Sequence, residues 1–407
     1  MATTQAEKAV TPLGGFQWGW KLGMVGSAAP VFPGFEVDIC DRVLDNEKPD
    51  AVWHRERARQ ILVAHPEIRE LFGHAPSTAV WCLLAAALQV ALAATASLAP
   101  WWGVVMMSYC VGALINITLF QLAHECDHCL VFKSRFWNRY LFTVTSIPMF
   151  LSAHHTWWTE HIVHHNDMSA TKDFITRRRS FFLATRQRSP LFFPYALVMA
   201  VMQLVRSLVG LLFYVWTSLF RGSLEPTNTT LSILADEHLA SGYVKEKITR
   251  WAVIYPLLSF VMYGTLVWFG GLKPLLYLLL SQVFFTGFLH PYCLGWVLGI
   301  SHFHGRRNYQ PTASQYGWLT NLTTFNAGLH VEHHDLAGIP WFRLPALRRA
   351  APEFYDNLEP IRSYTWLGLT FVFANRDTFE DRFNTETHRN LKRFSNSQPL
   401  ENATQIP

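Results

Sequence analysis

The sequence predicts an all-α integral membrane protein with four transmembrane helices in two hairpins and a cytosolic helical cap that carries a histidine-rich metal site. Three observations support this fold class. The chain of 407 residues is 50% hydrophobic and only 15% charged, whereas soluble proteins contain about 25% charged residues. Its apolar residues lie in long blocks, and most of its histidines lie in short clusters. The blocks indicate a membrane and the clusters indicate metal ions.

The first half of the chain contains the first predicted pair of spans. Residues 1–50 are rich in Gly, Pro and small residues, which predicts a flexible tail without a signal peptide. Residues 51–73 mix charged and apolar residues at helical spacing and predict an amphipathic helix at a surface. Residues 77–99 and 101–123 contain no charged residue, and each is long enough to span a bilayer. The sequence APWW at their junction predicts a tight turn with interfacial tryptophans.

The second half contains the second predicted pair of spans. Residues 140–153 are too few to span comfortably, which favours a re-entrant or interfacial helix. Residues 190–220 are numerous enough, but Arg206 near their middle favours an interfacial helix. Residues 251–270 and 273–300 are again apolar and joined by a very short connector. They therefore complete the four predicted spans.

Basic residues predict the orientation of the chain in the membrane. Lys and Arg are frequent after each predicted pair of spans, whereas the two hairpin tips contain only Lys273. Because positively charged segments stay in the cytosol, both termini and all long segments are expected there. A single membrane domain is expected over residues 51–380, followed by a C-terminal tail at 381–407.

The histidine clusters recur at spacings that suit metal binding. One HxxxH box and two HxxHH boxes each place their imidazoles on one face of a helix. The boxes are HECDH (His124, His128), HIVHH (His161, His164, His165) and HVEHH (His330, His333, His334). His302 and His304 follow the last predicted span. The predicted topology puts all of these side chains on the cytosolic side near the membrane, so they can meet.

The number of histidines predicts two metal ions. Octahedral coordination needs six ligands, so eight or nine imidazoles are too many for one ion. A structural zinc site has four ligands and usually includes Cys, whereas imidazole alone also suits iron, copper and nickel. Neighbouring polar side chains are expected to orient the ligands by hydrogen bonds. These supporting residues are Glu125, Asp127, Glu160, His302, Glu332 and Asp335.

The other histidines and two other protein classes complete this interpretation. Isolated histidines are expected at the surface, namely His54, His65, His74, His238 and His388.

A haem-binding membrane electron carrier would need His pairs facing each other within spans. A zinc intramembrane hydrolase needs about three ligands and leaves most boxes without a role. The net charge of +5 comes without the aromatic-interleaved basic array that single-stranded nucleic acid requires, so no nucleic acid is expected as a partner.

The order of the boxes around two pairs of spans resembles the membrane fatty acid desaturase and hydroxylase superfamily. A longer stretch is similar to one branch of it, the sphingolipid Δ4-desaturases or dihydroceramide desaturases. This stretch is 316–358, YGWLTNLTTFNAGLHVEHHDLAGIPWFRLPALRRAAPEFYDNL. Residues 54–71, HRERARQILVAHPEIREL, also resemble that branch. The first box, HECDH, and the length of the stretch from His290 to His304 depart from the family pattern.

The resemblance implies a cytosolic cap with a non-haem di-iron site that uses O2. The implied iron ligands are His124, His128, His161, His164, His165, His304, His330, His333 and His334. It implies an oxidoreductase that introduces a 4,5 double bond into a sphingoid chain of the dihydroceramide type. Lipid C-hydroxylation and a fatty acyl substrate stay open as alternatives because of the departures.

The resemblance also implies partners and a location. The sequence contains no HPGG haem motif and no Rossmann or ferredoxin motif, so the electrons are expected from a separate cytochrome b5 or ferredoxin-type donor. The lipid substrate is expected to enter from the bilayer. The implied location is the endoplasmic reticulum in a eukaryote and the inner membrane in a bacterium.

Overall fold

The computed structural model describes residues 49–150, 165, 197, 249–285, 289–300 and 310–373, and the side chains of all of these except 49–52 and 249–253. Within these ranges the regular secondary structure is entirely helical. The all-α class predicted from the sequence is thus confirmed for the described part of the chain.

The N-terminal helix is shorter than predicted and packs against the C-terminal part of the chain. Helix α1 (Pro49–Ala64) is followed by a 3-10 helix (Pro66–Leu71) instead of continuing to residue 73. The helix ends there because Pro66 has no N–H to donate and restricts the backbone of the residue before it. Ile61 and Ile68 are buried in one apolar cluster with residues from 329 to 355. The predicted surface helix is therefore anchored along one side.

An ion pair next to this junction makes the docking of α1 pH-dependent. His65 Nε2 lies 2.5 Å from Glu353 Oε1, and this contact raises the pKa of His65 and lowers the pKa of Glu353. The stabilisation is therefore complete between the ordinary pKa values of Glu (about 4.3) and His (about 6.5), and it is lost as the pH rises through the raised pKa of His65 or falls through the lowered pKa of Glu353. We expect Glu353→Gln to lower the unfolding temperature near pH 6, with the difference vanishing at alkaline pH. A pH-independent difference would contradict this account.

Two long apolar helices follow. Helix α2 (Thr78–Thr95) continues through a 3-10 turn to Leu98, and helix α3 runs over Trp101–Asp127 with a π turn at Ser108–Gly112. Among the described helices, these two are long and apolar enough to cross a membrane. They match the predicted spans at 77–99 and 101–123, but α3 continues four residues further. Its last turn therefore carries the first histidine box.

A short amphipathic helix comes next. Helix α4 (Arg135–Ser146) buries Asn138 and Leu141 and exposes the aromatic side chains of Phe136, Trp137 and Tyr140. This pattern suits a helix at a membrane interface, although the helix begins five residues before the predicted segment 140–153. The helix predicted over 190–220 lies outside the described residues, apart from residue 197.

The second predicted pair of spans differs from a simple hairpin. Helix α5 (Thr249–Gly270) and helix α6 (Leu272–Phe285) meet at Gly271, which has a φ of +68° that glycine adopts without strain. The prediction of one continuous helix over 273–300 is wrong, because a separate helix α7 covers Pro291–Ile300. Pro291 begins α7, since proline is tolerated in the first turn and disrupts a helix interior. The four-span topology stays a prediction.

Polar contacts join these apolar helices at two levels. Lys273 Nζ donates to the carbonyl oxygens of Ser97 (3.4 Å) and Ala99 (2.7 Å), so the connection between α5 and α6 touches that between α2 and α3. Further along, Gln89 Nε2 donates to Asn116 Oδ1 (2.9 Å), and Asn116 Nδ2 donates to Gln282 Oε1 (3.1 Å). Buried amides need such partners. The pairing sets the rotation of α3 relative to α2 and α6.

The C-terminal part consists of short helices. They are α8 (Trp318–Thr323), α9 (His330–Asp335), a 3-10 turn (Trp341–Arg343), α10 (Leu344–Ala350), α11 (Pro352–Tyr355) and α12 (Tyr364–Phe373). Asn321 joins α8 to α9, because its Nδ2 donates to the carbonyl oxygen of Gln315 and its Oδ1 accepts from Gly328 N. Helix α12 packs against α7.

Candidate metal centre

Four histidines from three boxes meet at the end of α3. His124 lies on its last turn and His128 is the residue that directly follows it, whereas His333 lies on α9 and His165 completes the group. One ligand nitrogen from each side chain lies within 4.8 Å of the others. Residues separated by about 200 positions in the sequence are thus brought together beside one of the two candidate spans.

The distances within this cluster suit imidazoles that share metal ions. The His124 and His128 rings are 4.6 Å apart between centroids, and the His128 and His333 rings are 4.7 Å apart. His165 Nε2 and His333 Nε2 lie 3.2 Å from each other. Metal–nitrogen bonds of about 2.1 Å place two ligands of one ion roughly 3–4 Å apart. The donor set of nitrogens only, largely buried, therefore fits a borderline transition metal such as iron.

The rest of the third box packs around this cluster. The His334 ring stacks on the His165 ring with 4.2 Å between centroids and 18° between planes. The His330 ring lies 4.4 Å from the His334 ring. The other predicted site residues fall outside the described part of the chain, namely Glu160, His161, His164, His302 and His304. Their roles stay predictions.

The carboxylates near the boxes have specific partners. Glu332 accepts hydrogen bonds from Ser314 Oγ (2.6 Å) and Tyr316 Oη (3.0 Å), and its burial raises the pKa of the carboxyl group. Glu125 accepts a hydrogen bond from Trp341 N (3.2 Å). These bonds hold the segments around the boxes in place, and the predicted role of the two carboxylates in orienting the metal ligands stays a prediction.

Asp127 differs from the other carboxylates. It is buried on the last turn of α3, and neither of its carboxylate oxygens has a hydrogen-bond partner within the described residues. It occupies a position in HECDH where the first box departs from the family pattern. Its predicted role beside the metal ligands stays a prediction.

Sequence reasoning missed two residues that lie against the third box. His54 was expected at the surface, but it is only 3% exposed, so that expectation is wrong. His54 Nδ1 and the Arg57 guanidinium both bind the Asp335 carboxylate. A signal was present, because His54, Arg57 and Ile61 share one face of the predicted helix at i, i+3 and i+7. That face carries an imidazole and a guanidinium next to an apolar residue.

Comparison with known proteins identifies the family. The fatty acid desaturase family model matches residues 99–366, about two thirds of the chain. The chain belongs to the fatty acid desaturase family. A second family model, sphingolipid Delta4-desaturase, matches residues 45–77 of this desaturase-family chain, which include α1 and the 3-10 helix after it. The resemblance stated from the histidine boxes is confirmed.

Curated relatives support the same branch. The chain is 28% identical over 365 residues to a sphingolipid delta(4)-desaturase of Candida albicans, with 84% of this chain and 87% of the relative covered. It is 29% identical over 322 residues to a desaturase of the same description from Oryza sativa (78% and 86%). It is 27% identical over 342 residues to the human one (83% and 92%). No solved structure matches the chain. Together these matches support a lipid desaturase, and hence an oxidoreductase.

Proposed function

We propose that this protein is an O2-dependent di-iron desaturase that introduces a 4,5 double bond into the sphingoid chain of a dihydroceramide-type lipid. The observation that carries the proposal is the meeting of His124, His128, His165 and His333 at the end of a candidate span. The match of residues 45–77 to the sphingolipid Δ4-desaturase model supports the choice of substrate.

In this proposal the histidine boxes hold two irons. The nine ligands are His124, His128, His161, His164, His165, His304, His330, His333 and His334. When bound, the irons would supply the O2 activation that protein side chains lack. The chain's own residues orient the imidazoles, because helix α3 presents two of them one turn apart and Glu332 ties α9 to Ser314 and Tyr316. They also keep water away, since His124, His333 and His334 are buried.

The position of the cluster suits a lipid chain that arrives from the bilayer. Helix α3 is uncharged and mostly apolar up to Ala123 and carries the first box directly after that residue. A chain lying beside α3 would thus reach the imidazoles without crossing water. The methylenes of a lipid chain are chemically almost alike, so the site selects one carbon by position and not by reactivity. A small shift in that position, or slower removal of the second hydrogen, would give a 4-hydroxy product.

The proposal extends to partners and location. A separate cytochrome b5 or ferredoxin-type protein supplies two electrons and binds the basic cytosolic surface. The domain is expected to cover residues 51–380, with the histidine boxes on the cytosolic side. The membrane is that of the endoplasmic reticulum in a eukaryote and the inner membrane in a bacterium.

Lipid feeding tests the substrate and the reaction. We expect membranes of a host without sphingolipid desaturation, expressing this chain, to convert labelled dihydroceramide to the 4,5-unsaturated lipid and to leave a labelled fatty acyl lipid unchanged. Mass spectrometry that locates the double bond is the measurement. If only the acyl lipid is converted, the proposed sphingoid substrate is wrong and only the chemistry of the family stands. A 4-hydroxy product would show that the enzyme hydroxylates the lipid chain instead of desaturating it.

Metal analysis of the purified protein separates the remaining classes. Two irons per chain support the proposal. One haem per chain would indicate an electron carrier, and one zinc would indicate a hydrolase.

A further inference from the structure

Helix α1 contacts the third histidine box through a buried ion pair, and we infer that His54 and Arg57 are positioning residues for the metal ligands. This inference rests on the proposed di-iron function. It assigns a role to the N-terminal segment, which lies outside the three histidine boxes. The contact joins residues 278 and 281 positions apart in the sequence.

The Asp335 carboxylate is the centre of this contact, which we call the α1 clamp (His54, Arg57, Thr312 and Asp335). Its side chain is completely buried. Arg57 Nη2 and Nε donate to Asp335 Oδ2 at 2.9 and 3.1 Å, and His54 Nδ1 lies 2.6 Å from Oδ1. Because an ionised carboxylate only accepts hydrogen bonds, His54 donates through Nδ1, and its Nε2 forms a hydrogen bond with Thr312 Oγ1 (2.9 Å). Each partner is thereby held in one orientation.

Arg57 is itself fixed by its surroundings. Its guanidinium lies 4.4 Å from the centroid of the Trp53 ring and 5.4 Å from that of Tyr355. Its Nη2 also donates to the carbonyl oxygen of Phe354 at 2.8 Å. A planar guanidinium held by aromatic rings binds a carboxylate with a defined geometry, which a lysine ammonium does not reproduce. Arg57 therefore transmits the position of α1 to Asp335.

Helix α9 depends on such outside contacts for its orientation. It has only six residues, and its N-cap residue Leu329 makes no side-chain hydrogen bond to it; the N–H of Val331 donates instead to Ser314 Oγ (2.9 Å), which lies outside the helix. Isolated helices of that length are unstable in water, so tertiary contacts must hold it. Asp335 is its last residue and directly follows His334. An anchor at this position limits rotation of the whole third box.

A second contact links the clamp to the metal-binding cluster. The His54 ring lies 5.2 Å from the His334 ring between centroids, and His334 in turn stacks on His165. His165 Nε2 faces His333 Nε2 within the cluster. Packing therefore continues from α1 through His334 to the nitrogens that are proposed to bind iron. The match of residues 45–77 to a Δ4-desaturase family model covers both His54 and Arg57.

The experiment compares two arginines on one helix. Arg57→Lys keeps the positive charge but loses the planar guanidinium that donates hydrogen bonds to Asp335 from Nε and Nη2. Thr312→Val removes only the hydrogen bond to His54. Arg59→Lys is the matched control, because Arg59 is exposed and pairs with Glu56 on the same helix. Iron per chain, the rate of iron release to a chelator, the Mössbauer spectrum and the unfolding temperature are measured on the full-length protein. Thr312→Val keeps the inference testable if Arg57→Lys does not fold.

We expect iron release to be about tenfold faster in Arg57→Lys and a few-fold faster in Thr312→Val, in line with the effect of groups that support metal ligands. The Mössbauer spectrum should change in both and stay unchanged in Arg59→Lys. The inference is overturned if Arg57→Lys and Thr312→Val release iron at the wild-type rate and keep the wild-type spectrum. The contact would then be merely structural, whether or not the unfolding temperature falls. If the wild-type protein itself contains no iron, the proposed function is refuted instead.

Discussion

His333→Ala should lose iron and lipid turnover together while the protein still inserts into membranes. His333 is buried on α9, and its ring lies 4.5 Å from that of His124 and 4.7 Å from that of His128. Alanine removes a ligand at the centre of the cluster without touching the apolar faces of α2 and α3. Changes in groups that only support ligands cost about 10–100-fold in metal affinity or activity, so the loss of a ligand should cost more.

The measurement is iron content by elemental analysis together with lipid conversion in the same membranes. His74→Ala is the control, because His74 is a half-buried histidine outside the cluster. We expect His74→Ala to retain both iron and turnover. Full activity in His333→Ala would refute the assignment of this cluster as the metal site.

Gly295→Ala should destabilise the fold strongly. Helices α7 and α12 approach each other at Gly295 and Gly368, and a Cβ at Gly295 would overlap the carbonyl oxygen of Tyr364. Close contact of helix backbones at small residues is typical of helix pairs in membranes. Because backbone atoms block the new methyl group, the helices must separate, which costs about 1–3 kcal/mol or more. The yield of folded protein and its unfolding temperature should both fall.

Gly264→Ala is the matched control for this prediction. Gly264 lies within α5, and a Cβ there would meet no atom within 4 Å. Alanine favours a helix over glycine by about 1 kcal/mol, so this variant should be neutral or slightly more stable. Equal losses in the two variants would mean that the contact between α7 and α12 does not explain the effect.

Local patterns in the sequence predicted the features that depend on neighbouring residues. The uncharged segments 77–99 and 101–123 correspond to α2 and α3, because length and composition alone determine whether a helix suits a bilayer. The four-residue spacing of His124 and His128 correctly placed both on one helix face. Pro66 follows the end of α1 and Pro291 begins α7, as expected because proline disrupts helix interiors and is tolerated in the first turn.

Contacts between distant segments could not be predicted in this way. His54 looked like an isolated polar residue, because its partners Thr312 and Asp335 lie far away in the sequence. The spacing of HVEHH predicted that its three imidazoles would share a face, but not that His334 would stack on His165 and approach His54. Glu332 and Asp335 were expected to bind imidazoles: Glu332 binds Ser314 and Tyr316, whereas Asp335 binds the imidazole of His54 together with Arg57.

The α1 clamp also has a consequence for protein synthesis. Asp335 leaves the ribosome 281 residues after His54, a delay on the order of tens of seconds at about 5–20 residues per second. During that time α1 lacks its partners from residues 312–355, and Ile61 can pack only against neighbouring residues such as Ile68. The third box is also missing during that time, so the proposed metal site is complete only after residue 334 has been made. We expect a chain that stops before Asp335 to expose the apolar side of α1, and exposed apolar surface of this kind is what chaperones bind.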